Sequence, residues 1–208
     1  KRNPAVNANG PVFGALEESG DYLPEIDPKT NTASRGKLIV LDPNTPSSVD
    51  QPPAATSPYW GDEAIWNSQT TVHSFAMDKQ GRVWAAARVR KSETPAWCRA
   101  GSNHPSAKLF PLERSFRQLG FYDPDTKKYM HINTCFSTHH LMFAEDEKNT
   151  LWTSGGGQVI GWLDTKKFRE TGDEQASQGW TALILDTNGN GKRDQYTEPD
   201  APLDPKLD

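Results

Sequence analysis

Two stretches of the chain, residues 73–84 and 139–152, share one pattern of apolar and polar positions. In each stretch a histidine is followed by a Phe-Ala pair, and then by an acidic residue six positions before a tryptophan. A weaker third copy, in residues 180–189, keeps the apolar run and the Asp-x-x-Gly turn that ends it. The chain therefore contains a repeat, and repeats of supersecondary size indicate a modular architecture.

A second pattern, an apolar run closed by an Asp-(Pro)-Thr type of turn, lies between these copies. It occurs in residues 37–45, 119–128 and 159–167. Asp123 and Asp164 are 41 residues apart, which is the period of a four-stranded propeller blade. We interpret the longer intervals earlier in the chain as loop insertions. The pattern predicts an all-β chain, a β-propeller of which about three to four blade units are visible.

Individual strands follow from the same pattern. Residues 72–77 and 82–87 predict a hairpin whose turn needs the positive φ that Gly81 supplies. Further elements are predicted as strands at residues 21–26, 37–41 and 150–154, and as one helical turn at most in the polar segment 167–178.

The predicted domain organisation has three parts. Residues 1–36 form an irregular segment or a degenerate blade, residues 37–197 form blades with an insertion at 88–117, and residues 198–208 form a linker or tail. Closed propellers usually need about four to eight blades, and an open one leaves strand edges exposed. We therefore expect a fragment whose ring is completed by further sequence or by a second chain.

Composition and charge exclude several classes of partner. The 208 residues carry a net charge of -4, which argues against nonspecific binding to nucleic acid or to anionic membranes, because both need a basic surface. No apolar run reaches the roughly 18 residues that a membrane-spanning helix requires. The partner is therefore expected to be a small molecule, a peptide or a saccharide.

The insertion at residues 88–117 is basic within this acidic chain. Its guanidinium groups, with Arg88 and Arg90 as the candidate ligand-binding residues, could clamp an anion at the mouth of the ring. A solvated loop face is the alternative. Trp60 and Trp66 could supply an aromatic platform at the same mouth, or they could pack within a blade.

The two cysteines, Cys98 in the insertion and Cys135 before the histidine pair, have no metal-ligand spacing. They predict a disulfide that pins the insertion to the next blade, above the histidines, with two free thiols as the alternative. A bridge implies an oxidising compartment, so the expected location is periplasmic or secreted.

The segment from Asp186 resembles the start of a calcium loop. Oxygen-bearing side chains stand at positions 1, 3, 5 and 9, and glycine stands at position 6, where the turn is sharp. The acidic residue that should end the loop comes one position late, and a hydrogen-bonded Asx turn has a similar composition. The expected structural Ca²⁺ ligands are Asp186, Asn188, Asn190, the Lys192 carbonyl, Asp194 and Glu198.

Histidines recur at the start of two predicted blades. The innermost strand of each blade lines the central channel, so His73 and His140 would converge near the axis. They could form a metal site or a general base, or they could be hydrogen-bonded spacers. His140 lies one residue further from its aspartate than His73 does, which would require a bulge. His139 is a candidate ligand-binding residue.

The units His-x-Phe-Ala-x-Asp-x-x-Gly-x-Val-Trp and Gly-x-x-Asp-Pro-x-Thr resemble the repeats of the streptogramin B lyase family. This resemblance implies a seven-bladed ring in which His and Glu, with Mg²⁺, open a cyclic depsipeptide by elimination. It places His73 and His140 where the blades of that family begin. The family's repeat continues Trp-Phe-Thr-Glu, whereas Trp84 and Trp152 are followed here by Ala-Ala-Ala and Thr-Ser-Gly, without the acidic residue.

The leading functional hypothesis is an exported propeller that binds a ligand at its channel mouth. The first alternative is a metal-dependent lyase, with a histidine as base and a divalent cation stabilising the enolate. The second alternative is a structural part of a larger exported enzyme. An acidic residue that converges on the histidines would favour the lyase, whereas a wide aromatic and basic mouth would favour binding.

Overall fold

The computed structural model describes residues 4–17, 19–47, 58–59, 61, 67–154 and 159–182. Within these residues the chain is mostly β, with a few short helices at its connections. The strands are β1 (Val12–Phe13), β2 (Tyr22–Asp27), β3 (Thr32–Lys37), β4 (Ser74–Met77), β5 (Val83–Ala87), β6 (Gln118–Asp123), β7 (Lys128–Ile132), β8 (His140–Phe143), β9 (Leu151–Ser154), β10 (Val159–Leu163) and β11 (Gln178–Ala182). The helices are α1 (Pro4–Asn7), α2 (Pro105–Leu109), α3 (Thr165–Thr171) and α4 (Glu174–Ser177).

The strands form three antiparallel sheets in which each strand pairs with its neighbour in the sequence. The first sheet has the order β1-β2-β3, the second β4-β5-β6-β7 and the third β8-β9-β10-β11. The predicted all-β class is confirmed. The two four-stranded sheets coincide with the two copies of the sequence repeat, which explains why the repeat includes both a hairpin and a following apolar run.

The second sheet lies in the middle and is covered on both faces. Strand β5 is therefore buried at all five positions, and its sequence is apolar without alternation. Successive side chains of a strand point to opposite faces. Val83 and Ala85 pack in the cluster shared with the first sheet, while Trp84 packs in the cluster shared with the third sheet.

The layer between the second and third sheets is built around Trp84. Its indole is fully buried, with ring centroids 4.7 Å from Phe121 and 5.9 Å from Phe143. Leu151 and Leu163 of the third sheet complete the same cluster. The first strands of the two sheets, β4 and β8, lie against each other.

The predicted hairpin at residues 72–87 is confirmed, with Gly81 at φ 80° in its turn. Asp78 joins the turn of this hairpin to the tryptophan six residues later. Its carboxylate accepts hydrogen bonds from the backbone and Nε of Arg82 and from Trp84 Nε1, the last at 2.9 Å. The turn and the core tryptophan are thus joined by one buried side chain.

The predicted disulfide between Cys98 and Cys135 is present, with a Cα–Cα distance of 5.4 Å. Both cysteines are fully buried in a cluster with Phe136 and Trp180. The insertion's helix α2 packs on β11, and Trp180 Nε1 donates to the Phe110 carbonyl oxygen at 2.7 Å. The bridge therefore fixes the insertion against the third sheet.

The predicted strand at residues 37–41 is wrong. Strand β3 ends at Lys37, and the following residues cross from the first sheet to the second. Leu38 N donates to the Asp21 carbonyl oxygen, and Leu41 N donates to the Val89 carbonyl oxygen. The apolar run is explained by this crossing, because Leu38 fills the core between the two sheets.

The polar segment after β10 holds more helix than expected. Helix α3 has seven residues and begins after Asp164, whose side chain accepts a hydrogen bond from Lys167 N. Gly172, at φ 69°, ends it in the left-handed conformation. The prediction of at most one helical turn did not take these two caps into account. They stabilise a short helix whose sequence has no apolar periodicity.

No helix within the described residues is long and apolar enough to cross a membrane.

Candidate functional site

The three predicted site histidines come together at the start of β4 and β8. The ring centroids of His73 and His139 are 4.2 Å apart. His139 Nδ1 lies 3.2 Å from His140 Nδ1, so one imidazole donates a hydrogen bond to the other. The sequence predicted that His73 and His140 would converge, and in the structure His139 contacts both of them.

The structural counterpart of His73 is His139 and not His140. His73 N donates to the Ala86 carbonyl oxygen at 3.0 Å, and His139 N donates to the Ser154 carbonyl oxygen at 2.9 Å, each on the neighbouring strand. The connection between β8 and β9 is two residues longer than that between β4 and β5. Aligning the two copies of the repeat on their Phe-Ala pairs therefore matched His73 with the wrong histidine. The bulge predicted at His140 is not needed, because His139 already has the place of His73.

Glu17 joins this cluster from the N-terminal segment. Its Oε1 lies 2.7 Å from His73 Nδ1 and 2.6 Å from Arg117 Nη2. An ionised carboxylate only accepts hydrogen bonds, so His73 holds its proton on Nδ1 and directs the lone pair of Nε2 away from Glu17. This arrangement orients a potential general base.

Arg117, the last residue of the insertion, anchors the cluster to the core. It is 9% exposed, and its Nε donates to the Thr71 carbonyl oxygen at 2.9 Å. Thr71 has φ 38°, an unfavourable value for a β-branched residue, two positions before His73. Strained backbone of this kind is concentrated at functional sites.

The pKa of His139 is lowered. Desolvation is the main cause, and the neighbouring His73, His140 and Arg117 add to it by disfavouring a further positive charge, while Glu17 acts in the opposite direction. His139 is therefore neutral at neutral pH and can accept or donate a hydrogen bond to a ligand.

This lowered pKa can be measured by NMR titration of the imidazole protons. We expect His139 to titrate below about 6.5, the usual histidine value. The unfolded state then binds more protons below that pH, so the contribution of His139 to stability is present above about pH 6.5 and is lost as the pH falls toward its folded pKa. His139→Gln identifies the resonance, and His140→Gln is the control. A His139 resonance titrating at or above 6.5 contradicts the prediction.

A groove of about 350 Å³ lies between the insertion and the loop at Pro46. Three cationic side chains and one carboxylate line it, so its charge is opposite to that of the whole chain. Arg114 donates to Ser92 Oγ at 3.0 Å, which holds one guanidinium in place. The lining residues are Pro46, Arg88, Lys91, Ser92, Glu93, Arg114 and Phe116.

Phe116 connects the groove to the histidine cluster. Its ring is 53% exposed, and the guanidinium carbons of Arg88 and Arg117 lie 5.1 Å and 5.0 Å from the ring centroid. Arg88 Nη1 also donates to the Pro46 carbonyl oxygen. Phe116 thus links the two places by its ring contacts, since Arg88 lines the groove and Arg117 pairs with Glu17 in the histidine cluster.

Arg90 lies beside this groove but is turned into the protein. Its guanidinium donates five hydrogen bonds, to Asn133, Ser115 and three backbone carbonyl oxygens. Burial lowers the pKa of Arg90 to about 10. These contacts favour a structural role that ties the insertion to the loop after β7; ligand binding by Arg90 stays a prediction.

Several predicted site residues lie outside the described part of the chain. They are Trp60, Trp66 and the expected calcium ligands Asp186, Asn188, Asn190, Lys192, Asp194 and Glu198. Among the residues that the structure describes, no group of three His, Cys, Asp or Glu side chains is placed to hold a metal ion. The expected Ca²⁺ and Mg²⁺ sites therefore stay predictions.

Sequence reasoning missed Glu17 and Phe116. Glu17 is 56 residues from His73 and 100 from Arg117, in a segment without periodicity. No local signal could have indicated its role. Phe116 had one signal, an aromatic residue beside Arg117 in a basic loop.

A scan against protein-family models found no family that matches this chain, and a search of the curated proteins found no significant match.

Proposed function

We propose that the chain is a β-propeller binding module whose mouth takes a small organic anion. Three observations support the propeller arrangement. The sheets are consecutive antiparallel meanders, they stack face to face, and their first strands β4 and β8 lie together with histidines at the same end. Propeller blades meet around an axis in this way.

The observation that carries the proposed function is the basic groove, whose Phe116 ring also contacts Arg117 beside the histidine cluster. Arg88, Lys91 and Arg114 offer charged donors to a carboxylate or phosphate. The exposed Phe116 ring gives an apolar surface for the rest of the ligand. The imidazole of His139, whose pKa is lowered, can exchange hydrogen bonds with ligand hydroxyl or carbonyl groups.

Phenyl phosphate is a suitable probe because it carries both an aromatic ring and an anion. We expect isothermal titration calorimetry to show tighter binding of phenyl phosphate than of inorganic phosphate or phenol. Lys91→Ala with Arg114→Ala should weaken binding about five- to tenfold, since two charged donors are lost at an exposed site. Binding should also weaken at about 0.5 M salt.

Lys108→Ala is the matched control, because Lys108 is exposed in the same insertion but does not line the groove. Its binding of phenyl phosphate should equal that of the unchanged protein. Failure of all three probes to bind, or binding unchanged by the Lys91 and Arg114 substitutions, would contradict the proposed groove.

The contact between Glu17 and His73 favours a second candidate, the lyase. The residues would act as an oriented base: His73 Nε2 would remove the proton α to a carbonyl, the bond between the β carbon and the ester oxygen would break, and a carboxylate would leave as the alkene forms, with the proton kept on His73. A divalent cation such as Mg²⁺ would stabilise the enolate. Linearisation of a cyclic depsipeptide without change of mass, lost in His73→Gln, would identify this activity; unchanged substrate would exclude it for that substrate class.

We further propose that the protein is exported and that Ca²⁺ binds the loop beginning at Asp186. The buried Cys98–Cys135 bridge supports export, because disulfides persist in oxidising compartments. The spacing of oxygen side chains supports Ca²⁺. Metal analysis of the native protein and of an Asp186→Ala variant tests the site, which is rejected if neither sample retains calcium.

A further inference from the structure

The exposed face of the third sheet repeats a face that is buried in the second sheet. In the second sheet a row of paired residues, Ala76, Trp84 and Phe121, crosses strands β4, β5 and β6. The corresponding row of the third sheet is Met142, Trp152 and Trp162, across β8, β9 and β10. The first row is covered by the third sheet, whereas Met142 is 73% and Trp152 is 42% exposed.

The sheets stack in one direction, and each covers the same face of the sheet before it. The second sheet places Phe75 and Met77 on the first sheet, and the third sheet places Leu141 and Phe143 on the second. The Met142 face of the third sheet is the next face in this series. If the stack of sheets continued in the same direction, another sheet would cover the Met142 face, because Trp152 has the same place there as the buried Trp84 has in the second sheet.

The first sheet presents the complementary open face at the other end of the stack. Its covered face includes Leu23 and Gly36, where an added Cβ would meet the Tyr122 ring. Side chains alternate along a strand, so the open face carries the neighbours of these residues. Val12 and Ile26, which pair across β1 and β2, are 37% and 52% exposed there.

The charges of the two open faces are also complementary. A groove of about 580 Å³ beside Trp152 and Trp162 is lined by three carboxylates and two lysines, an excess of one negative charge. The open face of the first sheet carries Arg35 and Lys37, which pair with Pro24 and Tyr22. Arg35 already stacks on Tyr22 at 4.1 Å and could stack on an indole in the same way.

We propose that the Met142–Trp152–Trp162 face docks the open β1–β3 face of a second copy of this chain. The inference rests on the propeller arrangement proposed above. Two copies joined head to tail at both ends would close a ring of six sheets, within the about four to eight blades of known propellers. The contact is heterologous, which means that two different surfaces of identical chains are in contact. Ile26 of one copy contacts the tryptophan face of the other, and neither face contacts its own counterpart.

Cysteine cross-linking tests this geometry, because both natural cysteines are already bonded to each other. Ile26→Cys and Trp152→Cys chains are mixed, dissociated by dilution, concentrated and treated with a short bismaleimide. A cross-linked pair should form in the mixture and not with either variant alone. Cross-linking of Trp152→Cys alone indicates a face-to-face pair and overturns the proposal, as does no cross-linking in any sample.

Sedimentation velocity gives the second readout. The unchanged chain should reach twice its 23.1 kDa mass as concentration rises. Trp152→Ala and Ile26→Glu should each weaken dimerisation at least tenfold. The first removes a tryptophan from the centre of the contact, and the second places a carboxylate opposite the carboxylates that lie beside Trp152. Leu109→Glu, at a residue 85% exposed on α2 outside both faces, is the control. A monomer at every concentration, or a dimer unaffected by Ile26→Glu, overturns the inference.

Two additions keep the outcome unambiguous. Near-UV circular dichroism checks the fold, and Ile26→Thr replaces Ile26→Glu if that variant loses its native spectrum. Phenyl phosphate binding is measured on the unchanged chain and on the Trp152→Ala variant, since Trp152 does not line the anion groove. An unchanged chain that dimerises but does not bind the probe rejects the proposed ligand alone, and an unchanged chain that stays monomeric and binds the probe rejects the docking alone.

Discussion

Trp84→Ala is expected to lower the free energy of unfolding by about 3–5 kcal/mol, the cost of removing a large, fully buried aromatic side chain. The substitution empties the centre of the layer between the second and third sheets, where the indole touches Phe121 and Phe143. It also removes the indole N–H group that donates a hydrogen bond to the buried Asp78 carboxylate. Urea unfolding followed by circular dichroism measures the change.

Trp152→Ala is the matched control, because Trp152 has the same place in the repeat. It is 42% exposed and loses mainly its contact with Trp162, so we expect a loss of about 1 kcal/mol, measured at concentrations where the chain is monomeric. Trp84→Phe, which keeps a ring in the core, should be intermediate. Equal effects of the two alanine substitutions would mean that the layer around Trp84 is not the core.

Removal of the disulfide, by Cys98→Ala with Cys135→Ala, should lower the free energy of unfolding by about 4 kcal/mol. The bridge joins residues 37 positions apart, and opening it restores the entropy of that loop to the unfolded chain. Both positions are fully buried beside Trp180, so alanine avoids placing a polar group there. Urea unfolding of the double variant measures the loss.

Reduction of the unchanged protein provides the comparison without a change of sequence. Its stability in excess reductant, with thiols counted by mass spectrometry, should fall to that of the double variant. We also expect weaker anion binding in the groove, because the insertion that carries Arg114 loses its covalent attachment to the connection between β7 and β8. A double variant as stable as the oxidised protein would show that the bridge does not stabilise the fold.

The lyase and binding hypotheses made opposite expectations about the histidines, and the site has features of both. An acidic residue, Glu17, does converge on His73, as the lyase would need. The same carboxylate is paired with Arg117, which contacts the exposed Phe116 ring of the basic groove. The groove is the feature that the lyase does not require, and for that reason anion binding is our leading proposal.

The limits of the sequence are clearest at the two tryptophans of the repeat. Trp84 and Trp152 have the same local pattern, each six residues after an aspartate. One is fully buried and the other is 42% exposed, because among the described strands the second sheet is covered on that face by the third sheet, whereas no described sheet covers that face of the third. Local spacing determines which face of a strand a side chain occupies, but not whether that face is covered.

The histidine cluster shows the same difference between what can be predicted from the sequence and what depends on the tertiary structure. Their position before two first strands was readable from the sequence, and so was their convergence. Their partner Glu17 was not, since it is 100 residues from Arg117 and lies in a segment without periodicity. The pairing of His73 with His139 also required the structure, because a connection longer by two residues changes the register without changing the face.

The all-β class, the hairpin at residues 72–87 and the pairing of Cys98 with Cys135 were predictable from the sequence alone. These features depend on the alternation of apolar residues, on turn glycines and on the presence of only two cysteines, all of which are visible along the chain. The tertiary structure decided the caps of α3, the Glu17–His73 contact, the anion groove and the open Trp152 face. Each of these depends on which segments meet after the sheets stack, and contacts between distant segments leave no periodic trace in the sequence.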